Sequence, residues 1–213
     1  MFMISLVVKI VLVYRSVSLS QPIGILALMT TSEHIVTSAL KLFYRHGFHA
    51  AGVDLLAEEA GMTKKTLYRH YPSKDALIDA ALALRHQQFM KKLRSFVESA
   101  AVELRPLAYI DFIAGWTRED DFHGCAFINA TAEYGQHNAA PHRQAAAHKQ
   151  EIRRYLIDLC AAGGAQQPES IAEPLYLLGE GLIVASQVLG HNDSLVEAAR
   201  SVAGTLWSAS SRH

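Results

Sequence analysis

The chain has 213 residues, with 20 Lys+Arg balancing 20 Asp+Glu, 50% hydrophobic residues and two cysteines. These figures exclude a disordered tail, a disulfide scaffold and a strongly cationic nucleic-acid coat, and the length suffices for one large domain or two modest ones. Cys125 and Cys160 are too few and too distant for a zinc framework, which makes a reducing cytoplasm the expected compartment. The neutral total conceals an asymmetry. Residues 1–28 hold two basic side chains and no acidic ones, residues 29–95 hold ten against six, and residues 96–213 hold eight against fourteen. A basic segment followed by an acidic one suggests that only the first meets a polyanion.

The chain opens with MFMISLVVKIVLVY, an apolar run interrupted by Lys9 and shorter than the roughly 20 residues that span a bilayer. Its charge lies within and after the run, so a secretory signal does not fit either. Thr30 and Glu33 have capping-box spacing ahead of a helix-periodic stretch. We therefore expect the natural chain to start at Met29 and residues 1–28 to be a non-native or disordered extension. An amphiphilic anchor is the alternative, but no membrane partner is expected.

Ile35, Ala39, Leu42 and Phe43 line one face of a first helix, which Gly47 ends and over which Phe48 packs back. Val53, Leu56, Ala57 and Ala60 repeat the spacing over barely two turns up to Gly61. Thr63 then caps a short helix, KKTLYRHY, before Pro72 and a new N-cap at Ser73. Two short helices joined by a glycine turn, over about residues 53–71, form a helix-turn-helix pattern whose second member enters a DNA major groove. At about 100° per residue, with Leu67 inward, Thr63, His70 and Tyr71 lie near it; Lys65 and Arg69 lie opposite, flanked by Thr66 and Tyr68. Lys65 and Arg69 suit phosphates or guanine edges, Thr66 and Tyr68 suit phosphate oxygens, and Lys74 adds a further cation. An ordinary solvated face is the other reading of that charge.

The stretch from Ile35 to Ala80, and above all AGMTKKTLYRHYPSK, resembles the N-terminal domain of TetR-family transcriptional regulators. The resemblance implies base and phosphate contacts from Thr63, Lys64, Lys65, Thr66, Tyr68, Arg69, His70 and Lys74. The family usually has Thr at the position of Gly52. Without that hydroxyl, only the Gly52 and Val53 backbone amides remain for the corresponding phosphate contact.

Helical patterning continues without strand signals, so the fold class is all-α: a three-helix DNA-binding domain at 29–80, then a helical effector-binding and dimerisation domain at 81–213. Ser73 to about Ala100 reads as one connecting helix with a drifting stripe of Leu77, Ala81, Leu84, Gln88, Leu93, Phe96 and Val97. Further helices are expected after Pro106, over CAFINATAEYG and after Pro141. The last pair, about Pro168 to Leu189 and Ser194 to Ser208, contains LYLLGEGLIVASQVL, apolar nearly all round and thus in need of neighbours on every side. Gly179, Gly181, Ala185 and Ser186 allow close helix approach there. The family resemblance implies a homodimer paired through these two helices and an inverted-repeat operator in double-stranded DNA.

HGCAFINATAEYGQ is similar to a TetR subgroup with a Gly-Cys-x-x-x-Asn-Ala motif. Tyr109, Phe112, Trp116, Phe122 and Phe127 can line an apolar effector pocket, with Cys125, Asn129, Glu133, Tyr134 and His148 as polar points. Core packing is the alternative for each. Cys125 reads as a small buried hydrophobe, as a thiol or metal sensor with His123, His142 or His148, or as a nucleophile. The histidines lack metal spacing and no oriented base is visible, so no metal, cofactor or catalysis is expected. The expected function is a sequence-specific regulator, a repressor released by an unidentified small molecule. The alternatives are a thiol- or metal-responsive regulator and a helical small-molecule-modifying enzyme.

Overall fold

A computed structural model describes residues 30–210; the expectations for residues 1–28 lie outside these. The described residues form nine α-helices, one short 3-10 turn and no strand. The first helix, α1 (Thr31–His46), starts on the anticipated capping box: Glu33 N–H donates to Thr30 Oγ1, and the Glu33 carboxylate accepts from Thr30 N–H at 2.8 Å. Its buried face is Ile35, Val36, Ala39, Leu40, Leu42 and Phe43, and the Phe48 ring stacks on Phe43 at 5.3 Å.

Two short helices, α2 (Val53–Glu59) and α3 (Lys64–His70), follow, joined by a turn in which Gly61 takes φ +62°. Leu56 and Leu67 bury their side chains almost completely, in one apolar cluster with the inner face of α1. Tyr71, at the end of α3, reaches back with its hydroxyl 2.7 Å from Ser32 Oγ. The next helix, α4 (Lys74–Glu98), is capped by Ser73, whose hydroxyl accepts from Ala76 N–H. It buries Leu77, Ile78, Ala81 and Leu82 near its start, and Phe89, Met90, Leu93 and Val97 further on. The anticipated stripe is corrected here: Gln88 is exposed, and Phe89 and Met90 carry the burial in its place.

Beyond the 3-10 turn at Val102–Leu104 come α5 (Arg105–Trp116), α6 (Ala126–Glu133), α7 (Ala140–Ala162), α8 (Pro168–Leu189) and α9 (Asp193–Ser210). Helix α4 packs on α1 at one end and on α5 and α7 at the other, so it belongs to both halves. Helix α8 departs from the expectation of burial all round. Leu177, Gly181, Val184 and Val188, spaced i, i+4, i+7, i+11, are exposed, with Leu177 at 66% and Val188 at 75%.

On the opposite face of α8, Gly179 lies against the fully buried Tyr109 ring. A Cβ there would stand 2.4 Å from the Tyr109 hydroxyl and 2.7 Å from the ring itself. Gly179→Ala is therefore expected to cost about 1–2 kcal/mol, overpacking outweighing the gain in helix propensity. An unchanged thermal midpoint would contradict that packing.

Candidate nucleic-acid interface and effector domain

The outer face of α3 is built by the burial of one residue. With Leu67 inside, Lys65, Tyr68 and Arg69 are exposed, and Thr66 and His70 are half-buried. Thr63, the N-cap, accepts from Thr66 N–H at 3.2 Å and is itself exposed, although the helical wheel sets it on the inner side. Lys65 and Arg69, one turn apart, meet no carboxylate among the described residues. Lys64 does: its Nζ lies 2.5 Å from Asp54 in the first turn of α2. Lys74 donates to the His49 carbonyl at 3.0 Å. Gly52 is the N-cap of α2 and supplies no side-chain cap, leaving the first amides of that helix without one.

The residues anticipated for an effector fall into two groups. Phe112 and Trp116 on α5 join Phe89 and Phe96 on α4 along an open groove, and Phe122 packs edge-on against Trp116 at 5.1 Å. Tyr109 is buried against α8 and burial holds its hydroxyl well above its ordinary pKa. Phe127 stacks on His148 at 3.8 Å, and His148 Nδ1 lies 2.9 Å from His86 Nδ1. Burial, with the Lys149, His86 and Arg85 charges adding to it, pushes His148 down to about 2, so the ring is neutral at physiological pH. Cys125 is the buried N-cap of α6; Asn129 donates to the His123 carbonyl and accepts from Gln187. His123 and His142 are turned to Tyr44 and the Tyr134 carbonyl respectively, and the described residues contain no cluster able to hold a metal.

Glu133 and Tyr134 lie elsewhere. The Glu133 carboxylate accepts from Phe48 N–H at 2.8 Å and His49 N–H at 2.6 Å, and lies 2.9 Å from His49 Nδ1. Tyr134 stacks on the His49 ring at 4.7 Å. These two residues join the end of α6 to the loop after α1. Gly47 makes the approach possible: its φ is +88°, and a Cβ would stand 2.9 Å from Glu133 Oε1. A second tie lies at the start of α6, where the Tyr44 hydroxyl donates to Gly124 O and accepts from His123 N–H.

Sequence reasoning missed the α4 side of the groove, Arg85, Phe89, Lys92 and Phe96. Their i, i+4, i+7, i+11 spacing was the available signal, obscured by reading α4 only as a connector. It also missed the largely buried ion pair between α7 and α8, Lys149 to Glu180 at 2.6 Å. Burial alone would lower the Lys149 pKa, but the Cys125 and Glu180 groups facing it hold it raised.

A glycine-turned pair of short helices, the second presenting Lys65 and Arg69 outward, has the geometry of a helix-turn-helix. The family model for bacterial regulatory proteins of the tetR family matches residues 35–81. The transcriptional repressor ComR of Escherichia coli is 34% identical over 94 residues, 43% of this chain and 45% of that protein, so the match spans less than half of this relative. The regulator YjdC of Escherichia coli is 24% identical over 153 residues, 71% of this chain and 80% of its own. A solved TetR-family transcriptional regulator from Streptomyces coelicolor superposes with TM-score 0.79 at 27% identity, covering 86% of this chain and 91% of its own. The chain is thus similar to TetR-family transcriptional regulators over residues 35–81 by sequence and over most of its length by fold.

Proposed function

We propose that the protein is a homodimeric, sequence-specific repressor of transcription, working in the cytoplasm and released from DNA by a small molecule bound in its second domain. The observation that carries the reading is the outward pair Lys65 and Arg69 on α3, exposed and without carboxylate partners among the described residues. Thr63, Thr66, Tyr68, His70 and Lys74 surround it, and the uncapped amides of Gly52 and Val53 offer a phosphate contact. We divide the chain into a DNA-binding domain at 29–80 and an effector and dimerisation domain at 81–213. We place it in the subgroup marked by the Gly124-Cys125 to Asn129-Ala130 motif, whose ends bond to the loop before α6 and to Tyr44.

The apolar stripe Leu177, Val184 and Val188 on α8, with Val202 on α9, supports pairing through these helices. A two-fold pair presents its α3 helices to successive major grooves about 34–36 Å apart, which calls for an inverted-repeat operator. Val188→Asp sets a charge on the most exposed member of that stripe and is expected to turn a dimer into a monomer in sedimentation velocity, with operator binding lost alongside. A mobility shift on DNA upstream of its own gene tests the reading directly; binding that ignores sequence and palindromic symmetry would refute it.

Operator and effector must oppose one another by the same factor, since coupling between sites is reciprocal. Only a difference in effector affinity between the two conformations can drive release.

A further inference from the structure

Between α4 and α5 lies an open groove of about 930 Å³. The rings of Phe89, Phe96, Phe112 and Trp116 form its floor; the Phe89 ring centroid is 5.4 Å from Phe112 and 5.2 Å from Trp116, each pair packed edge to face. Four cations, Arg85, Lys91, Lys92 and Arg118, stand at its rim against one carboxylate, Glu119. Lys92 lies 3.7 Å from Glu119, and Arg118 pairs with Asp193. Arg85 and Lys91 meet no carboxylate among the described residues. The Arg85 guanidinium instead lies 5.4 Å from the Trp116 ring centroid and 5.2 Å from that of Tyr44.

Each part of this lining selects a part of an occupant. Aromatic rings favour a flat ring laid offset or edge-on against them. A guanidinium fork matches a carboxylate with two parallel hydrogen bonds, and the excess of cations favours an anion over a neutral or cationic group. A simple inorganic anion leaves the floor unused, and a neutral arene leaves Arg85 and Lys91 unused. We propose that this groove binds an aromatic carboxylate, its ring against Phe89, Phe112 and Trp116 and its carboxylate on Arg85 and Lys91.

The consequence for DNA binding rests on the regulator reading above. Arg85 touches Tyr44, and Tyr44 ties α1 to the loop before α6. A carboxylate in the groove competes with the Tyr44 ring for the guanidinium and thereby acts on the helix that braces α3.

The test is isothermal titration of the full chain with 2-naphthoate and with its neutral isostere 2-naphthamide. Naphthoate is expected to bind at least about tenfold more tightly, the margin of a charge-assisted hydrogen bond at a partly exposed site. Arg85→Gln should reduce naphthoate to the level of the amide. Gly115→Leu is the second variant: this exposed glycine lines the groove, a Cβ on it meets nothing within 4 Å, and a leucine there suits the helix while filling the space. It should abolish naphthoate binding. Equal affinity for acid and amide, or naphthoate binding that survives Gly115→Leu, overturns the proposal. Operator binding followed in parallel by mobility shift separates the two readings. Sequence-specific shifts without preferential naphthoate binding reject the groove alone; naphthoate binding as described without sequence-specific shifts supports the groove and rejects the regulator.

Discussion

Arg69→Ala is expected to weaken operator binding by about 5- to 150-fold, the range of about 1–3 kcal/mol that separates a good guanine contact from none. The side chain is exposed at the end of α3, one turn beyond Lys65 and on the side away from the buried Leu67. Among the described residues it makes no ion pair that the substitution would break, so stability and sedimentation behaviour should stay as in the wild type. If Arg69 reads a base, the loss falls mainly on one position of the operator. If it holds a phosphate, all sequences weaken alike and the slope of log K against log salt falls by about one. Mobility shifts with operator variants at two salt concentrations distinguish these cases. An unchanged affinity would remove α3 from the groove.

Glu133→Gln is expected to loosen the joint between the two halves and to cost about 1–3 kcal/mol of stability. An ionised carboxylate only accepts, so the close His49 Nδ1 must carry the hydrogen, and Glu133 gathers three donors from one loop. Burial alone would raise its pKa, but the His49 and Phe48 amides and the His49 ring more than offset it and hold the group below its ordinary value of 4.5. The sign follows by linkage. A carboxyl whose folded pKa is depressed contributes stability above its unfolded pKa and loses it as the pH falls through the folded one. The difference in denaturation midpoint between wild type and Glu133→Gln should therefore be full at neutral pH and close below about pH 4.5. A difference that stays constant down to pH 3 would show that the charge has no part in it.

The contrast between these two residues shows what was legible in the chain and what was not. Arg69 was placed correctly by a helical wheel, because its exposure depends on Leu67 two residues away. The caps at Thr30, Thr63 and Ser73 were likewise readable, since each acts on an amide three residues on. Glu133 acts on amides 84 and 85 residues distant. Nothing in ATAEYG signals that its carboxylate turns to the other domain rather than to a ligand. The surroundings of His148 were hidden for a related reason: a histidine among alanines on α7 gives no sign that Phe127 and Phe89 cover both its face and its edge. On α8 the composition was read well and the pattern less so. The run is apolar throughout, but Gly179 faces inward and Gly181 outward, a distinction that requires knowing where Tyr109 lies.

Helix α4 enters the core of both halves without a break, from Leu77 and Ile78 beside α1 to Leu93 and Val97 beside α5 and α7. At about 1.5 Å per residue its 25 residues make a rod of about 37 Å with no hinge loop to absorb motion. Tilting such a rod by about 5° about one end carries the other through about 3 Å, close to the rise of one base pair. In a symmetric pair the two displacements add, so a rearrangement too small to repack either core is enough to throw the reading heads out of register with the duplex.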